Sequence, residues 1–308
     1  MNIKKIYLAS PRGFCAGVSR AIHIVDTVLK KHGKPIYIRH QIVHNDHIIK
    51  DYEKKGVKFI EQIEDAPRGS IVIFSAHGSS PELYIEAKKR NLTIYDATCP
   101  LVKKVHLEAK RYEKEGYYIV YIGQRNHPET VGVMSEVNKN SIILIDSILK
   151  VKELIIPLRK KAVILTQTTL SLNDTKQIIK TIQKKYPEVI LPPASDICFS
   201  TQNRQNAVKE LSKKVKIIFV VGSKTSSNSN KLHDTAIKQG AKAFLINNKT
   251  DINLQLLNGV SVVGVTAGAS APEILVDDVI KFLSNKATKV EEIVSAKELL
   301  IFPLPINI

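Results

Sequence analysis

The sequence predicts an α/β protein of three similar α/β units with mostly parallel sheets; if the units are arranged around a pseudo-threefold axis, their three thiols can meet at one point. Short apolar, β-branched runs alternate with lysine-rich stretches of helical periodicity, and such alternation is typical of parallel sheets. The 308-residue chain has only three cysteines, and each opens the same order of segments: Cys15, Cys99 and Cys198. A repeated order of segments predicts repeated structural units.

Each predicted strand is an apolar run that ends in small or polar residues. The strands are predicted at residues 4–9, 36–39, 71–75, 118–122, 162–166, 216–221, 243–246 and 260–265. The helices are predicted between them, at residues 17–32, 45–55, 81–90, 100–115, 172–185, 202–214 and 230–239. Ligands of such sheets bind beyond the carboxyl ends of the strands, so the polar loops at those ends form the candidate site.

The predicted units cover residues 1–97, 98–195 and 196–308. We expect them to pack tightly, because no linker rich in proline, glycine or serine separates them. The tail from Val290 to Ile308 breaks the repeat, and its apolar residues predict a segment docked on the body of the protein.

The composition predicts a cytoplasmic protein with no membrane partner. No apolar run approaches the ~18 residues that a spanning helix needs. The first residues run almost directly into Cys15, so we expect no signal or transit peptide ahead of it. In a reducing compartment, cysteines act as ligands or as thiols rather than in disulfides.

The formal charge of +17 has two interpretations. It reflects either a lysine-biased composition or attraction to an anionic partner. The lysines of segments 174–186 and 209–216 resemble solvated helix faces, and the chain lacks the motifs of RNA-binding domains and zinc fingers. We therefore expect no nucleic-acid partner, whereas an acidic electron-transfer protein would use the same charge. An RNA-associated protein is the alternative, and it requires steeply salt-dependent affinity.

The cysteines lie in turns that precede predicted helices. Cys15 stands between Gly13 and Gly17, and Pro100 follows Cys99 at a position suited to the first turn of a helix. A helix N-terminus offers N–H donors and positive potential, which favour thiolate over thiol. A lone cysteine is usually a small buried hydrophobe, but the same placement in three repeats predicts a shared metal site.

Two kinds of inorganic group fit three thiolates. A closed structural zinc, as in a binding or regulatory protein, would need a fourth Cys or His ligand, and Cys-x-x-Cys pairs are absent. An iron–sulfur cubane held by three thiolates leaves one iron open to a substrate, an arrangement suited to chemistry more than to electron storage. The residues favour the second.

The polar loops recur at similar distances from the cysteines. His44, His127 and Ser226 follow them by 29, 28 and 28 residues, and His77, Thr168 and Ser270 by 62, 69 and 72 residues. Pro128 separates His127 from Glu129, so a stiff turn could direct a hydrogen-bonding group and a proton donor at one substrate. The polar loop from Gly222 to Asn230 precedes a helix, and its N–H and hydroxyl donors suit an anion such as a diphosphate.

The remaining histidines are assigned to structural roles: His23, His32, His40, His47, His106 and His233. Neither a Gly-x-Gly-x-x-Gly nor a Walker-type motif stands at a strand–helix turn, so we expect no built-in dinucleotide or nucleoside triphosphate site.

Taken together, these residues resemble the 4-hydroxy-3-methylbut-2-enyl diphosphate reductase family of the non-mevalonate isoprenoid pathway. The matching stretches run in the family's order over nearly the whole chain: Arg12-Gly-Phe-Cys-Ala-Gly, Ile42-Val-His-Asn, Ser75-Ala-His-Gly, Asp96-Ala-Thr-Cys-Pro, Asn126-His-Pro-Glu, Thr166-Gln-Thr-Thr-Leu-Ser, Val221-Gly-Ser-Lys-Thr-Ser-Ser-Asn-Ser and Thr266-Ala-Gly-Ala-Ser-Ala-Pro-Glu.

The resemblance implies three α/β units around a pseudo-threefold central cavity. It also implies a [4Fe-4S] cluster held by Cys15, Cys99 and Cys198, with one open iron site. It implies reductive removal of the substrate hydroxyl as water, which yields isopentenyl diphosphate and dimethylallyl diphosphate. Glu129 would supply the proton, acting with Thr168 and His127. Further residues would hold the diphosphate: His44, His77, Ser226, Ser227, Asn228 and Ser270. The resemblance also implies a monomer and an external electron donor of the ferredoxin or flavodoxin type.

Overall fold

The computed structural model describes residues 2–305 and 308 and has an α/β fold. Within that part of the chain the strands are β1 Lys5–Ser10, β2 Ile36–Arg39, β3 Val57–Ile60, β4 Ile71–Phe74, β5 Thr93–Asp96, β6 Tyr118–Ile122, β7 Ile142–Ile145, β8 Ala162–Thr166, β9 Ile217–Val221, β10 Lys242–Ile246, β11 Val262–Ala267 and β12 Lys289–Val294. The α-helices are α1 Ala16–His32, α2 Asp46–Lys54, α3 Pro81–Lys89, α4 Pro100–Lys114, α5 Pro128–Met134, α6 Lys150–Glu153, α7 Leu172–Lys185, α8 Phe199–Ser212, α9 Ser227–Lys238 and α10 Glu273–Leu283.

The strands form three sheets in which the described pairings are parallel. Their orders are β10-β9-β11-β1-β12, β3-β2-β4-β5 and β7-β6-β8. The α/β class, the parallel sheets and the three similar units are therefore confirmed. The pseudo-threefold arrangement around a central cavity stays a prediction.

The chain divides into two compact units. The first contains the residues up to Ser19, Val43–Tyr52 and Phe199–Ile301, and it holds the five-stranded sheet. The second contains Arg20–Ile42, Glu53–Cys198 and the residues from Phe302, and it holds the other two sheets. The boundaries at residues 97 and 195 stay a prediction, but β1 pairs with β11 and β12 rather than with β2.

The central strands of the sheets are buried on both faces, which is why these strands are continuous apolar runs. In β9, Ile217, Phe219 and Val221 pack into one hydrophobic cluster, while Ile218 and Val220 pack into another. Successive side chains of a strand point to opposite faces, so the five-stranded sheet lies between two apolar layers. In the second unit, β6 alternates in the same way between two clusters.

The predicted strands and helices are confirmed within one to three residues at most ends. The prediction missed β3, β5, β7, β12, α5, α6 and α10. Most of these are short, and β12 has an exposed, charged pattern without a buried face. The short and charged elements lack the hydrophobic periodicity on which the prediction depends. Helix α10, with Leu275, Val276, Val279 and Leu283 on its buried face, and the apolar strand β7 carry that signal, and the prediction overlooked them.

The first part of the predicted C-terminal tail adds a strand to the first unit. Residues of β12 pair in parallel with β1, and Lys5 Nζ lies 2.6 Å from Glu291 Oε2. Ile306 and Asn307 of the predicted tail lie outside the described residues. Among the described helices, none is both long and apolar enough to span a bilayer.

Candidate active site

Each cysteine lies one residue before a helix, as predicted. Helices α1, α4 and α8 begin at Ala16, Pro100 and Phe199. The thiols are half-buried, so none is a core hydrophobe. Each cysteine N–H also donates to a carbonyl in a loop that follows a strand: Cys15 to Ala269 (3.3 Å), Cys99 to Ala76 (3.0 Å) and Cys198 to Thr168 (2.9 Å). Three cysteine turns thus share one local construction.

In the first unit, the Cys15 turn is attached to the end of β11. Gly13 N–H donates to Ala267 O at 3.2 Å. Gly13 has φ of +64°, and a Cβ there would lie 3.2 Å from Ala271 O. A larger residue would be strained in this left-handed conformation, so glycine allows the turn to approach the strand end closely.

The N-terminus of α9 carries part of the predicted anion-binding loop, because the helix begins at Ser227 and not at residue 230 as predicted. Ser226, Ser227, Asn228 and Ser229 are all nearly inaccessible to solvent. Ser226 caps the helix, because its Oγ accepts the Ser229 N–H at 3.3 Å. Burying this many polar groups is costly unless they bind partners, and a helix N-terminus presents its donors to negative charge.

Asn228 connects this helix to the loop after β11. Its Oδ1 accepts the Ala269 N–H at 2.8 Å, while its buried Nδ2 has no hydrogen-bond partner among the described residues. Ser270, in the same loop, donates from Oγ to His44 O at 3.0 Å and lies 3.4 Å from Ser226 Oγ. The first unit therefore brings together Cys15, His44 and the predicted donors Ser226, Asn228 and Ser270.

Two glycines at strand ends admit α9 to this position. A Cβ on Gly222 or Gly268 would lie 2.2 or 2.0 Å from Ser229 Oγ. Neither position can therefore carry a side chain while the helix N-terminus stays where it is. Ser229 Oγ is buried and unpartnered within the described part of the chain.

In the second unit, Glu129 is a carboxylate with only 1% of its surface exposed. Its Oε1 accepts the Thr168 N–H at 2.7 Å, and its Oε2 accepts the Thr168 hydroxyl at 3.1 Å. Since Thr168 O accepts the Cys198 N–H, one residue contacts both the acid and a cysteine turn.

Burial raises the pKa of the Glu129 carboxyl to about 7. The two hydrogen bonds from Thr168 lower this pKa, whereas the charge of Asp196 raises it. The desolvation cost of the charged form dominates. A carboxyl with such a pKa holds a proton near neutral pH and can transfer it, which is the requirement for a general acid.

His127 positions Glu129 through the backbone. It is the N-cap of α5, and its Nδ1 accepts the Glu129 N–H at 3.2 Å, with Pro128 as the first helical residue. The predicted stiff turn is thus present. The His77 ring lies 5.9 Å from the His127 ring at 86°, and Ser75 Oγ lies 3.3 Å from His77 Nδ1.

Two further residues of this region were not predicted as site residues from the sequence. Gln167 is buried; its Oε1 accepts the Gln124 N–H at 2.8 Å and its Nε2 donates to Thr169 Oγ1 at 2.8 Å. Asp196 accepts the Thr166 N–H at 2.9 Å and lies 3.0 Å from Lys104 Nζ. Burial and the neighbouring Glu108 raise the pKa of Asp196 to about 7. The stretch Thr166-Gln-Thr pointed to Gln167, but the sequence carries no signal that places Asp196 beside Thr166.

The donor set fits the two groups that the sequence implies. Thiols at helix N-termini suit an iron–sulfur group, and the unpartnered Asn228 Nδ2 among buried hydroxyls suits an anion. Within the described residues, no group of three or more His, Cys, Asp or Glu side chains is arranged to hold a metal ion. How Cys15 of the first unit lies relative to Cys99 and Cys198 of the second stays a prediction.

A sequence model of the LytB protein family matches residues 6–284. The chain belongs to the LytB protein family. The match spans all three cysteine turns and every predicted site residue, so the site described above falls inside the LytB region.

Curated LytB relatives are similar to the chain over nearly its full length. The protein named 4-hydroxy-3-methylbut-2-enyl diphosphate reductase in Histophilus somni is 46% identical over 304 residues, which cover 98% of this chain and 97% of the relative. The protein of the same name in Pectobacterium atrosepticum is 47% identical over 304 residues, which cover 98% and 96%.

Solved structures are also similar to this chain over most of its length. The E-1-hydroxy-2-methyl-but-2-enyl-4-diphosphate reductase of Plasmodium falciparum matches with a TM-score of 0.96 and 39% identity, over 99% of this chain and 96% of that one. A structure described as (E)-4-hydroxy-3-methyl-but-2-enyl diphosphate reductase, the terminal enzyme of the non-mevalonate pathway, matches with a TM-score of 0.66 and 29% identity, over 91% and 99%.

Proposed function

We propose that the chain is a reductase that removes the hydroxyl of 4-hydroxy-3-methylbut-2-enyl diphosphate as water and releases isopentenyl diphosphate and dimethylallyl diphosphate. The reaction consumes two electrons and two protons. The observation that carries the proposal is the buried Glu129 carboxyl held by Thr168, in a chain whose relatives at 45–47% identity bear the name of this reductase.

The donors of the first unit would hold the diphosphate. A head group with two or three negative charges needs many donors, whereas a C5 chain offers little else to bind. Asn228 Nδ2, together with the Ser226, Ser227 and Ser270 hydroxyls, supplies donors in a region shielded from solvent. His44, whose carbonyl accepts from Ser270, and His77 of the second unit would add imidazole donors.

Glu129 would deliver the proton. Its pKa of about 7 keeps much of the carboxyl protonated near neutral pH, and the Thr168 hydroxyl that contacts Oε2 would relay the proton or orient the acid. His127 would hold Glu129 through its backbone N–H and hydrogen-bond the substrate hydroxyl. In these roles Glu129 and Thr168 act as a unit.

Cys15, Cys99 and Cys198 would hold one [4Fe-4S] cluster with an open iron site. When bound, such a cluster supplies a Lewis acid for the substrate hydroxyl and a route for electrons. The chain's own contribution is to fix the three sulfurs through backbone hydrogen bonds and helix N-termini.

We place the reaction in the cytoplasm, in a monomer that receives its electrons from an acidic ferredoxin or flavodoxin. The formal charge of +17 supports such a partner, because opposite charges speed the encounter of two proteins. The resulting rate should fall as salt screens the charges.

Anaerobic turnover with an artificial reductant tests the proposal. The purified protein is mixed with the hydroxylated C5 diphosphate and reduced methyl viologen, and the products are separated by chromatography. We expect isopentenyl and dimethylallyl diphosphate from the wild-type chain and almost none from Glu129→Gln. Unchanged substrate, from a protein that contains iron and binds the substrate, would contradict the proposal.

A further inference from the structure

Arg204 is the largest side chain buried almost completely in the described chain, with 1% of its surface exposed. It lies on α8 in the first unit. A buried guanidinium must have its donors satisfied and its charge balanced. The roles proposed above for the cysteines, the donors and Glu129 do not account for it.

The guanidinium of Arg204 holds the turn that carries Cys15. Its Nε and Nη2 donate to Gly13 O at 3.1 and 2.9 Å, and Nη2 also donates to Phe14 O at 3.2 Å. The two carbonyls directly before Cys15 are therefore fixed by one rigid, planar group. Nη1 binds Ser200 O of its own helix at 3.0 Å, which orients the fork.

The C-terminal tail supplies the charge that balances Arg204. Glu298 lies four residues after β12, and its two oxygens are 3.0 and 2.9 Å from Arg204 Nη1. Asn203 Nδ2 binds the same carboxylate at 3.1 Å. The Glu298 side chain is only 15% exposed, so water screens this pair weakly.

A second carboxylate of the tail reaches the same turn. Arg12 Nη1 lies 2.5 Å from Glu292 Oε1 in β12, and Arg12 Nη2 lies 2.5 Å from Glu273 Oε1 at the start of α10. Arg12 Nη1 also donates to Ala9 O at 3.2 Å. Before Gly13, Arg12 thus forms an ion pair with a glutamate of the tail. After Gly13, the Phe14 carbonyl is held by Arg204, which itself pairs with Glu298 of the tail.

We propose that Arg204 and Glu298 are positioning residues for the Cys15 turn, so that the tail beyond β12 is part of the site. Arg204 fixes the carbonyls of Gly13 and Phe14, and Glu298 fixes Arg204 and cancels its charge beside the turn. The proposal rests on the proposed function in one respect, namely that Cys15 is a ligand of an inorganic group.

Thiol alkylation of the iron-free protein tests the positioning and does not depend on the proposed activity. Peptide mass spectrometry follows iodoacetamide labelling of the three cysteines separately. In Glu298→Gln we expect Cys15 to react about tenfold faster, since losing a charge-assisted hydrogen bond shifts a local opening equilibrium by about that factor. Cys99 and Cys198 should keep their wild-type rates.

The midpoint potential of the iron-loaded protein tests the charge. Glu298→Gln leaves an uncompensated guanidinium, which stabilises the electron-rich reduced form, so the potential should rise. Arg204→Met removes the positive charge, so the potential should fall, and Arg204→Lys should restore most of it. An electrostatic role predicts that the midpoint potential shifts in opposite directions in Glu298→Gln and Arg204→Met. A nonspecific loss of local structure would shift the potentials of both variants in the same direction.

Glu210→Gln is the matched control. Glu210 lies on the same helix as Arg204 and pairs at 2.7 Å with Lys213, the residue after the helix end, and both side chains are exposed. It should change neither measurement. If Glu298→Gln matches this control in both the Cys15 alkylation rate and the midpoint potential, or if all three cysteines react faster together, the proposal is wrong.

Should Arg204→Met fail to fold, Glu298→Gln, which keeps the size of the side chain, carries the test. A chain that binds no iron would defeat the proposed function, while the alkylation rates would still decide the positioning role.

Discussion

The strand-end loops of the two units use one local construction for opposite chemical tasks. In the first unit, Ser226 caps α9 beside Asn228, and the loop buries hydroxyls and an amide. In the second unit, His127 caps α5 beside Glu129, and the loop buries a carboxyl. In both cases a polar side chain is the second residue of the helix: Asn228 in α9 and Glu129 in α5.

Both helix N-termini are buried, so the difference shows that the buried side chain decides the role of each N-terminus. Neutral donors such as Asn228 gain by meeting an anion there. A carboxylate near the same kind of N-terminus is ordinarily favoured in its charged form, but desolvation of Glu129 outweighs its hydrogen bonds and raises its pKa. The first loop is therefore suited to hold charge and the second to hold a proton.

The largest effect is expected from the cysteines, because they test whether the two units serve one centre. Cys99→Ser in the second unit and Cys15→Ser in the first should each abolish iron binding and all activity, since a cluster with two thiolates is poorly held. Iron and sulfide assays of anaerobically purified protein measure this. A variant that retains the full iron content would show that its cysteine is not a ligand.

The next largest effect distinguishes proton delivery by Glu129 from binding of the diphosphate. Glu129→Gln should lower turnover by about 10²- to 10⁴-fold, the usual contribution of a general acid, while the Kd of the substrate stays near the wild-type value. Single-turnover kinetics and calorimetry measure the two quantities. Glu153→Gln, an exposed glutamate paired with Lys150, is the control and should behave as wild type. Normal turnover by Glu129→Gln would remove Glu129 from proton delivery.

Asn228→Ala should show the reverse pattern. Losing one donor to a charged group costs about 1.5–3 kcal/mol, so the Kd should rise by roughly 10- to 100-fold, with turnover at saturating substrate changed much less. Asn206→Ala, an exposed residue of α8, is the control. An unchanged Kd would mean that Nδ2 does not bind the diphosphate.

A smaller effect is expected from pH. As a proton donor, Glu129 must be protonated, so turnover should fall above about pH 7, where its carboxyl ionises. The folded-state pKa lies above the ordinary value of 4.5, so the native state binds more protons between these values. The contribution of Glu129 to the free energy of unfolding therefore decreases as pH rises from about 4.5 to about 7. A pH–rate profile without this fall, or one that Glu129→Gln leaves unchanged in shape, would contradict the assignment.

Much of the fold and the cysteine turns could be predicted because their signals are local. Glycines two residues from Cys15, a proline directly after Cys99 and the helical periodicity that follows each of the three cysteines predict the turns and the helix starts. The short apolar runs predict buried parallel strands. The proline between His127 and Glu129 likewise predicted the turn that the structure contains.

The remaining features depend on contacts between distant residues. Asn228 reaches the Ala269 N–H only because β9 and β11 are neighbours. Arg204 reaches Glu298 only because β12 pairs with β1. Strand order sets both contacts, and local patterns do not specify strand order. The pKa of Glu129 likewise depends on burial of its carboxyl and on Thr168 and Asp196, which are distant in the sequence.

Mössbauer spectroscopy of the anaerobically purified, ⁵⁷Fe-labelled protein tests the central claim most directly. We expect about four irons per chain, with one iron whose signal changes when the diphosphate substrate is added. Irons that are all equivalent and indifferent to substrate, or a colourless protein that holds zinc, would contradict a cluster with an open site held by Cys15, Cys99 and Cys198.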